Sequence, residues 1–232
     1  MKTLIIPTVS ISHLPQHVVN LFIASFPNHT PIPLDPTYLY AYVSSKASLI
    51  TTINMHPIQP TIQALQLHSP VLPGYESLFA EQIKEVVIKE GIDHVIVIDS
   101  KDRGFLGDDQ ARLVYWTTNS NDEDLADLFT HLQIESNTAT ENTLSKLNSS
   151  IRTEDTCSLV QFLSSGLNGI RIDYYGLYLY PGDNWADVAD MATVVAGRLG
   201  LELNNSEVTQ LRERDIKLAN AMDDTWVEGI YS

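Results

Sequence analysis

The chain has 232 residues, of which 44% are hydrophobic and 19% charged, a length and composition that suit one globular domain. Its 29 Asp and Glu outnumber its 14 Lys and Arg, and the resulting net charge of −15 argues against nucleic acid and anionic membranes as partners, because basic surfaces hold both. The single cysteine, Cys157, excludes an internal disulfide and a zinc cluster of thiolates, and the acidity fits either a basic protein partner or plain solubility.

The first 70 residues are predicted to hold three strands and one helix, separated by proline-rich turns. The first strand is predicted over Met1–Val9, and a helix over Pro15–Phe26, because proline is tolerated at a helix start. Leu49–Asn54 and Thr61–Leu67 are predicted as two strands of a hairpin across the prolines between them. The buried side chains of the helix are predicted to be Val18, Val19, Phe22 and Ile23.

The clearest unit is a helix followed by an apolar strand. Tyr75–Lys89 has apolar residues at helical spacing and is followed by Gly91, a common helix terminator. His94–Ile98 is then an almost unbroken apolar run ending at Asp99, which is typical of a parallel strand buried on both faces. A helix that leads into such a strand is half of a βαβ unit and predicts an α/β fold with helices layered on a sheet.

The remaining chain alternates between polar and patterned segments. Residues 117–155 are dominated by Ser, Thr, Asn and acids and are predicted to be an insertion on the surface of one domain. The elements predicted after it are a helix Thr156–Leu163, a strand Asp173–Tyr180 with four tyrosines, a helix from Asp183 or Asn184 to Leu199 with Val188, Met191, Ala192 and Val195 inward, and a helix Ser206–Met222. We therefore assign residues 1–222 to a single α-β-α domain and residues 223–232 to a flexible C-terminal tail.

Targeting segments are not expected. Lys2 precedes only Thr3 to Ile6 before Pro7, which is too short for the apolar stretch of a signal peptide. No run approaches the ~20 apolar residues of a membrane span. With a single cysteine, this predicts a reducing compartment, the cytoplasm or the nucleus.

Three polar groups could carry chemistry, and each also has a plain structural interpretation. His13 and His17 have the spacing of two metal ligands on a helix, but Pro15 between them places His13 outside it, so no metal site is predicted. Asp99-Ser100 and the loop 101–109 follow a buried strand, where α/β enzymes hold their sites, although a solvated turn has the same composition. Gly182-Asp183-Asn184 opens a helix and suits either a bound anion or an ordinary helix cap.

Two aromatic features suggest contacts with other proteins. The tyrosines of the strand Asp173–Tyr180 suit an interface, or equally a core strand with its hydroxyls at the rim. The C-terminal Ile230, Tyr231 and Ser232 suit capture by a partner that buries the tyrosine and pairs with the terminal carboxylate, or a frayed end.

Several segments resemble the PAC2 family of proteasome assembly chaperones. Leu4–Gln16 resembles the family's first strand and turn, and Leu65–Pro70 resembles its central strand. Val95–Ser100 is similar to its apolar strand ending in Ser, and Gly182-Asp183-Asn184 to a Gly-Asp-Asn that opens a helix, with Pro181 where the family usually has Glu. The resemblance covers most of the chain except 117–155.

The resemblance implies a fold like that of nucleoside phosphorylases, without their catalysis and without a cofactor or catalytic residues. It implies a heterodimer with a related chain, proteasome assembly chaperone 1, on the outer face of the proteasome alpha ring. Ile230, Tyr231 and Ser232 match a C-terminal hydrophobic-Tyr-x tail that docks between adjacent alpha subunits. The alternative is a phosphorylase-like enzyme or small-anion-binding protein that uses the Asp99 loop and the Gly182-Asp183-Asn184 turn.

Overall fold

The computed structural model describes residues 1–41, 51–105, 112–118, 147–148, 156–203 and 209–213. The strands are β1 (Thr3–Pro7), β2 (Ile32–Pro33), β3 (Ile53–Gln59), β4 (Ile62–Leu67), β5 (His94–Asp102), β6 (Leu113–Thr117), β7 (Leu147–Asn148) and β8 (Arg171–Leu179). The helices are α1 (Leu14–Ser25), α2 (Glu76–Glu90), α3 (Ser158–Ser164) and α4 (Trp185–Leu199). Short 3-10 turns cover Ile11–His13 and Arg103–Phe105.

The strands form one mixed sheet in the order β2-β3-β4-β1-β5-β8-β6-β7. The central strands β4, β1, β5 and β8 run parallel to one another, while β3 pairs with β4 and β6 pairs with β8 in the antiparallel direction. The apolar run in β5 is buried on both faces, as its composition predicts, because β1 and β8 flank it and helices cover it from both sides. The predicted α/β layered fold is confirmed.

Helices cover both faces of the sheet and divide the core in two. α1 packs beside α4 on one face, and α2 packs beside α3 on the other. The first core includes Ile5, Val18, Phe22, Ile96, Tyr175 and Val195. The second core includes Leu4, Ile6, Phe79, Val97, Val160 and Tyr174. Because strand side chains alternate in direction, each central strand contributes to both cores.

The four helices predicted before residue 200 are found with small shifts at their ends. α2 ends at Gly91 and α4 at Gly200, whose φ values of 62° and 64° lie in the left-handed region that glycine adopts most readily. The predicted inward residues of α4 are buried. Leu78 in α2 is apolar but 46% exposed, because only one stripe of this amphipathic helix faces the sheet.

Some strand predictions were wrong in position. The first strand of the hairpin is Ile53–Gln59 and not Leu49–Asn54, so Pro57 lies within β3 and the turn falls at Pro60–Thr61. The strands β2 and β6 were not predicted, since two residues and five residues carry little periodic signal.

Three sequence-based assignments lie largely outside the described residues. Of the polar insertion 117–155, the structure describes only 117–118 and 147–148. Of the predicted helix Ser206–Met222, residues 209–213 are helical and the rest is not described, and the tail 223–232 is not described at all. In the described ranges, every helix is too short or too polar to cross a lipid bilayer.

The order of the strands creates one position suited to a functional site. The chain leaving β1 passes through α1, β2 and β3 to reach β4 on one side of β1. The chain leaving β5 reaches β6 and β8 on the opposite side. Connections that diverge in this way mark the carboxyl ends of the two strands as the place where α/β proteins commonly bind ligands.

Candidate functional site

Hydroxyl groups and one carboxylate meet at the carboxyl ends of β1 and β5. The Thr8 hydroxyl donates a hydrogen bond of 2.5 Å to Asp99 Oδ1 and lies 3.0 Å from the Ser10 hydroxyl. Ser10 Oγ in turn lies 2.8 Å from Ser100 Oγ and accepts the backbone N–H of Ser100 over 3.1 Å. Asp99 and Ser100 are only 5% and 4% exposed, so this cluster is a closed hydrogen-bond network and not an open cleft.

The second oxygen of Asp99 is also occupied. Tyr174, on the adjacent strand β8, donates its phenolic hydrogen to Asp99 Oδ2 over 2.9 Å. Burial, followed by the nearby Asp99 charge, raises the pKa of the Tyr174 phenol well above its usual range, so it stays a neutral donor. The ammonium of Lys101 lies 5.8 Å from the centre of the Tyr174 ring, in cation–π range.

Cys157 lies near the same carboxylate. Burial and then the charge of Asp99 raise the pKa of its thiol to about 12. Only the thiolate attacks electrophiles or binds metals, so Cys157 is a poor nucleophile at neutral pH. With Asp99 held by Thr8 and Tyr174, the cluster offers neither an activated nucleophile nor an unengaged general base.

The turn between β1 and α1 contains two residues in the left-handed region, Ser12 with φ 58° and His13 with φ 51°. Such angles are uncommon for residues other than glycine and need support from neighbouring structure. That support includes Asn184, at the start of α4, which donates its side-chain amide to Ser12 Oγ over 2.8 Å. The same amide nitrogen lies 3.0 Å from the carbonyl oxygens of both Tyr180 and Gly182.

Asn184 thus connects the turn after β1 with the turn between β8 and α4, and we call these three hydrogen bonds of its amide the clasp. Asp183 accepts the backbone N–H of Trp185 over 3.2 Å and pairs with Arg212 at 2.6 Å. These two contacts, in that order, lower the pKa of the Asp183 carboxyl. The side chains of Asp183 and Asn184 are therefore engaged within the protein, and Asp183 lies beside the start of α4, as the helix-cap interpretation predicts. An anion held by the backbone N–H groups at this helix start stays a prediction.

The structure brings the two halves of the predicted anion site to the same turn. Asp99 and Ser100 contact its beginning through Thr8 and Ser10, and Asn184 contacts its end through Ser12. Of the loop 101–109, Lys101 and Asp102 extend β5, residues 103–105 form a 3-10 turn, and 106–109 lie outside the described residues.

A second buried network lies toward the opposite end of the same strands. Asp173 is fully buried and accepts hydrogen bonds from His94 at 2.9 Å, Thr117 at 2.7 Å and Arg171 at 2.9 Å. Burial alone would raise the pKa of the Asp173 carboxyl, but these donors outweigh it and lower the pKa to about 2. Sequence analysis missed this network because His94 and Asp173 are 79 residues apart and share no motif.

The two histidines at metal-ligand spacing do not converge. The ring centres of His13 and His17 are 6.4 Å apart and nearly perpendicular, and His17 packs on Trp185 at 4.7 Å. His13 lies before α1, as Pro15 predicts. Across the part of the chain that the structure describes, no three His, Cys, Asp or Glu side chains are grouped so that they could hold a metal ion.

The tyrosine-rich strand belongs to the core. β8 lies between β5 and β6, and Tyr174 and Tyr175 have no exposed surface. Tyr180, just beyond the strand, is 60% exposed and stacks beneath the Arg103 guanidinium at 5.5 Å. The core interpretation therefore holds for Tyr174 and Tyr175, while an interface through Tyr180 stays a prediction. The predicted partner-binding residues Ile230, Tyr231 and Ser232 lie outside the described residues, and their role stays a prediction.

The fold has clear counterparts among solved structures. PbaA from Pyrococcus furiosus, described as an archaeal homolog of proteasome-assembly chaperone, matches with a TM-score of 0.65 at 13% identity, over 98% of this chain and 94% of that one. PbaB from the same organism, an archaeal proteasome activator, matches with a TM-score of 0.64 at 10% identity, over 96% and 93%. A PAC2 family protein from Streptomyces avermitilis matches with a TM-score of 0.55 at 9% identity, over 99% and 100%.

No family model and no curated protein sequence matches the chain. The likeness to these structures extends over nearly the whole length of each, so the chain has the fold of the PAC2 family, as the sequence resemblance implies.

Proposed function

We propose that this chain is a non-catalytic chaperone for assembly of the proteasome core particle. The observation that carries the proposal is the structural match to PbaA, which spans 98% of this chain and 94% of that homolog of a proteasome-assembly chaperone. A match over the whole length, and not over one βαβ unit, is what a shared role would require. Because fold alone does not determine function, the chemistry of the candidate site must also agree.

The candidate site supports a role without catalysis. Both oxygens of Asp99 accept hydrogen bonds within the protein, and the thiol of Cys157 has a pKa of about 12. The amide of Asn184 braces a turn. These hydrogen bonds stabilise the fold, and Asp99 and Asn184 would have to give them up before they could act on a substrate.

The finer proposal concerns partners. We infer that the chain takes the place of proteasome assembly chaperone 2, pairs with proteasome assembly chaperone 1, and rests on the proteasome alpha ring in the cytoplasm or the nucleus. The tail residues Ile230, Tyr231 and Ser232 would dock between alpha subunits. The excess of 29 acidic over 14 basic side chains suits steering toward a basic partner surface.

Affinity purification under native conditions tests the proposal. The tag belongs on the N-terminus, so that the carboxylate of Ser232 stays free, and a chain tagged at the C-terminus is the matched control. We expect proteasome alpha subunits and one related chain to copurify with the N-terminal tag, and the alpha subunits to be depleted with the C-terminal tag. Recovery of the chain without any proteasome subunit would contradict the proposal.

A second candidate function is a phosphorylase-like enzyme or small-anion-binding protein. The observation in its favour is that the Asp99 cluster and the Gly182-Asp183-Asn184 turn meet at the turn after β1, where the connections from β1 and β5 diverge. A ligand that binds the native state raises the melting temperature as its concentration exceeds its dissociation constant. A rise in melting temperature with nucleosides or phosphate would support this second function. Phosphorolysis that is lost in Asp99→Ala would also support it and would contradict the non-catalytic chaperone.

A further inference from the structure

Two exposed tyrosines and one half-buried tyrosine lie outside the tyrosine-rich strand. We call Tyr38, Tyr40, Tyr75 and Leu78 the tyrosine patch. Tyr40, Tyr75 and Leu78 are each 46% exposed. The rings of Tyr38 and Tyr75 stack with their centres 5.9 Å apart and their planes 24° apart. Tyr75 and Leu78 lie within one turn of each other at the start of α2, so these side chains are neighbours at the surface.

The backbone beneath the tyrosine patch is fixed in place. Leu39 is buried and its backbone bridges to Val71. The half-buried Tyr38 packs in part against the second core, while Tyr40 on the other side of Leu39 is exposed. The carbonyl of Tyr38 accepts the N–H of Leu72 over 2.8 Å, and the Tyr40 N–H donates to Pro70 over 3.2 Å. The patch is therefore pre-organised, which lowers the entropy lost on binding.

Acidic side chains border the patch. Glu76 follows Tyr75 on α2, and Glu85 lies seven residues after Leu78, on the same face of the helix. Asp35 is held beside α2, because its carbonyl accepts the Gln82 amide over 2.6 Å. Lys84 on the same helix is buried, and its ammonium pairs with Glu81 at 2.7 Å. The described surface around the patch thus combines exposed aromatic area with mostly negative charge, with Lys89 as an exposed cation farther along the same face of α2.

We propose that the tyrosine patch docks an apolar pocket, bordered by Lys and Arg, on the outer surface of the proteasome alpha ring. Charge complementarity selects the occupant: a second copy of a chain with net charge −15 would be repelled, whereas a basic rim would be attracted. Tyrosine is enriched at the centres of protein interfaces and among the residues that dominate their binding energy. That the partner is the proteasome alpha ring rests on the proposed function. That the partner surface is apolar with a basic border is inferred from the residues of the tyrosine patch.

The paired substitutions Tyr75→Ser and Leu78→Gln test this proposal without disturbing α2. Tyr75 is the residue before the helix, where serine is favoured, and glutamine is a good helix former at position 78. The matched control is Ile88→Gln, at the far end of the same helix, where the side chain is 68% exposed. The full chain, with any related chain that copurifies, is titrated against immobilised proteasome core particles, and the melting temperature of each variant is recorded.

We expect the paired substitution to weaken binding by roughly ten- to a hundredfold, as the loss of central interface residues does, while Ile88→Gln leaves affinity unchanged. Reversing a border charge with Glu85→Lys should slow association, and the slowing should diminish at high salt. Unchanged affinity of the paired variant, or equal loss in the control, would overturn the docking inference and leave the proposed function standing. Dimerisation of the chain through the patch would also overturn it. Failure of the unchanged chain to bind core particles would overturn both.

Discussion

A Cβ atom added to Gly176 would lie 2.6 Å from the phenolic oxygen of Tyr174, two residues earlier on the same strand. The Tyr174 ring therefore lies over the bare backbone of Gly176, and this position lets its hydroxyl reach Asp99, the residue paired with Gly176 on β5. A side chain at position 176 would push the phenol away from the carboxylate. The missing side chain of Gly176 thus makes the Asp99–Tyr174 hydrogen bond possible.

Gly176→Ala should lower the free energy of unfolding by about 1–3 kcal/mol, the usual effect of overpacking a core. The measurement is urea denaturation, with Tyr174→Leu and the double variant completing a cycle. Because leucine removes the atoms that clash, the double variant should lose less stability than the sum of the two single changes. Additive losses would show that the two positions are not coupled.

Asn184→Ala should lower the free energy of unfolding by about 1–3 kcal/mol, because the Ser12 hydroxyl and two carbonyl groups lose their donor and the left-handed turn loses its brace. Asp183→Asn is the control: it keeps an acceptor for the Trp185 N–H and removes only an exposed charge, so we expect a change within about 0.5 kcal/mol. Equal effects at the two positions, in thermal or urea unfolding, would contradict the clasp.

Protonation of Asp173 should lower the free energy of unfolding as the pH falls. Its folded-state pKa of about 2 is below the ordinary value of 3.8, so its contribution is fully present above about pH 4 and is lost as pH falls toward 2. The shift corresponds to about 2–3 kcal/mol. Urea denaturation between pH 6 and pH 2 measures it.

Thr117→Val is the variant for this test, because it removes one donor to Asp173 while keeping the volume of the side chain. The folded-state pKa of Asp173 should rise, and the loss of stability on acidification should be smaller than in the unchanged chain. Asp173→Asn would leave the half-buried Arg171 and the buried His94 beside a neutral group, which should lower the free energy of unfolding further. An acid dependence unaffected by Thr117→Val would contradict the assignment.

The thiol of Cys157 should resist alkylation in the folded protein. A pKa of about 12 leaves far less thiolate at pH 7.5 than an ordinary cysteine of pKa about 8.5 provides. Modification by iodoacetamide, followed by mass spectrometry, should be at least roughly a hundredfold slower than in urea. Similar rates in the two conditions would show that the thiol is neither buried nor next to a negative charge.

Deletion of Ile230, Tyr231 and Ser232 should weaken binding to the alpha ring by roughly ten- to a thousandfold, about 1.4–4 kcal/mol, and leave the heterodimer and the melting temperature unchanged. Adding residues after Ser232 should do equal harm, because it displaces the terminal carboxylate. A tail this short contributes little alone and depends on a second contact through effective concentration. Titration of the truncated heterodimer against core particles makes the measurement, and unchanged affinity would favour a frayed end.

Sequence patterns predicted the elements whose burial is uniform along their length. β5 was predicted because His94–Ile98 is apolar at nearly every position, which only a doubly buried strand requires. β6 was not predicted because Leu113–Thr117 has only five residues, of which the first three are buried and the last two half-buried. The tyrosines of β8 could not be placed from sequence, since aromatic side chains suit a core and an interface equally well, and only the flanking strands β5 and β6 decide between them.

The sequence predicted individual residues of the candidate site but not the hydrogen bonds between them. Asp99 and Gly182-Asp183-Asn184 were identified because each stands where a strand meets a turn or a helix. Their partners Thr8, Tyr174 and Ser12 carry no local signal, because hydrogen bonds between residues 75 to 172 positions apart are set by the strand order. The strand order also brings these polar groups within hydrogen-bonding distance of one another.

Ser12 and the amide that braces it are separated by 172 residues, and this distance has a consequence for biosynthesis. At roughly 5–20 residues per second, a ribosome needs about 9 to 34 seconds to add Asn184 after Ser12. During that interval Asn184 cannot support the turn after β1. From the synthesis of β5 until that of β8, one edge of β5 also lacks its neighbour and is open to pairing with other chains. Nascent chains of this protein should therefore need protection until β8 emerges, and premature termination before Tyr174 should abolish the fold, not just the tail.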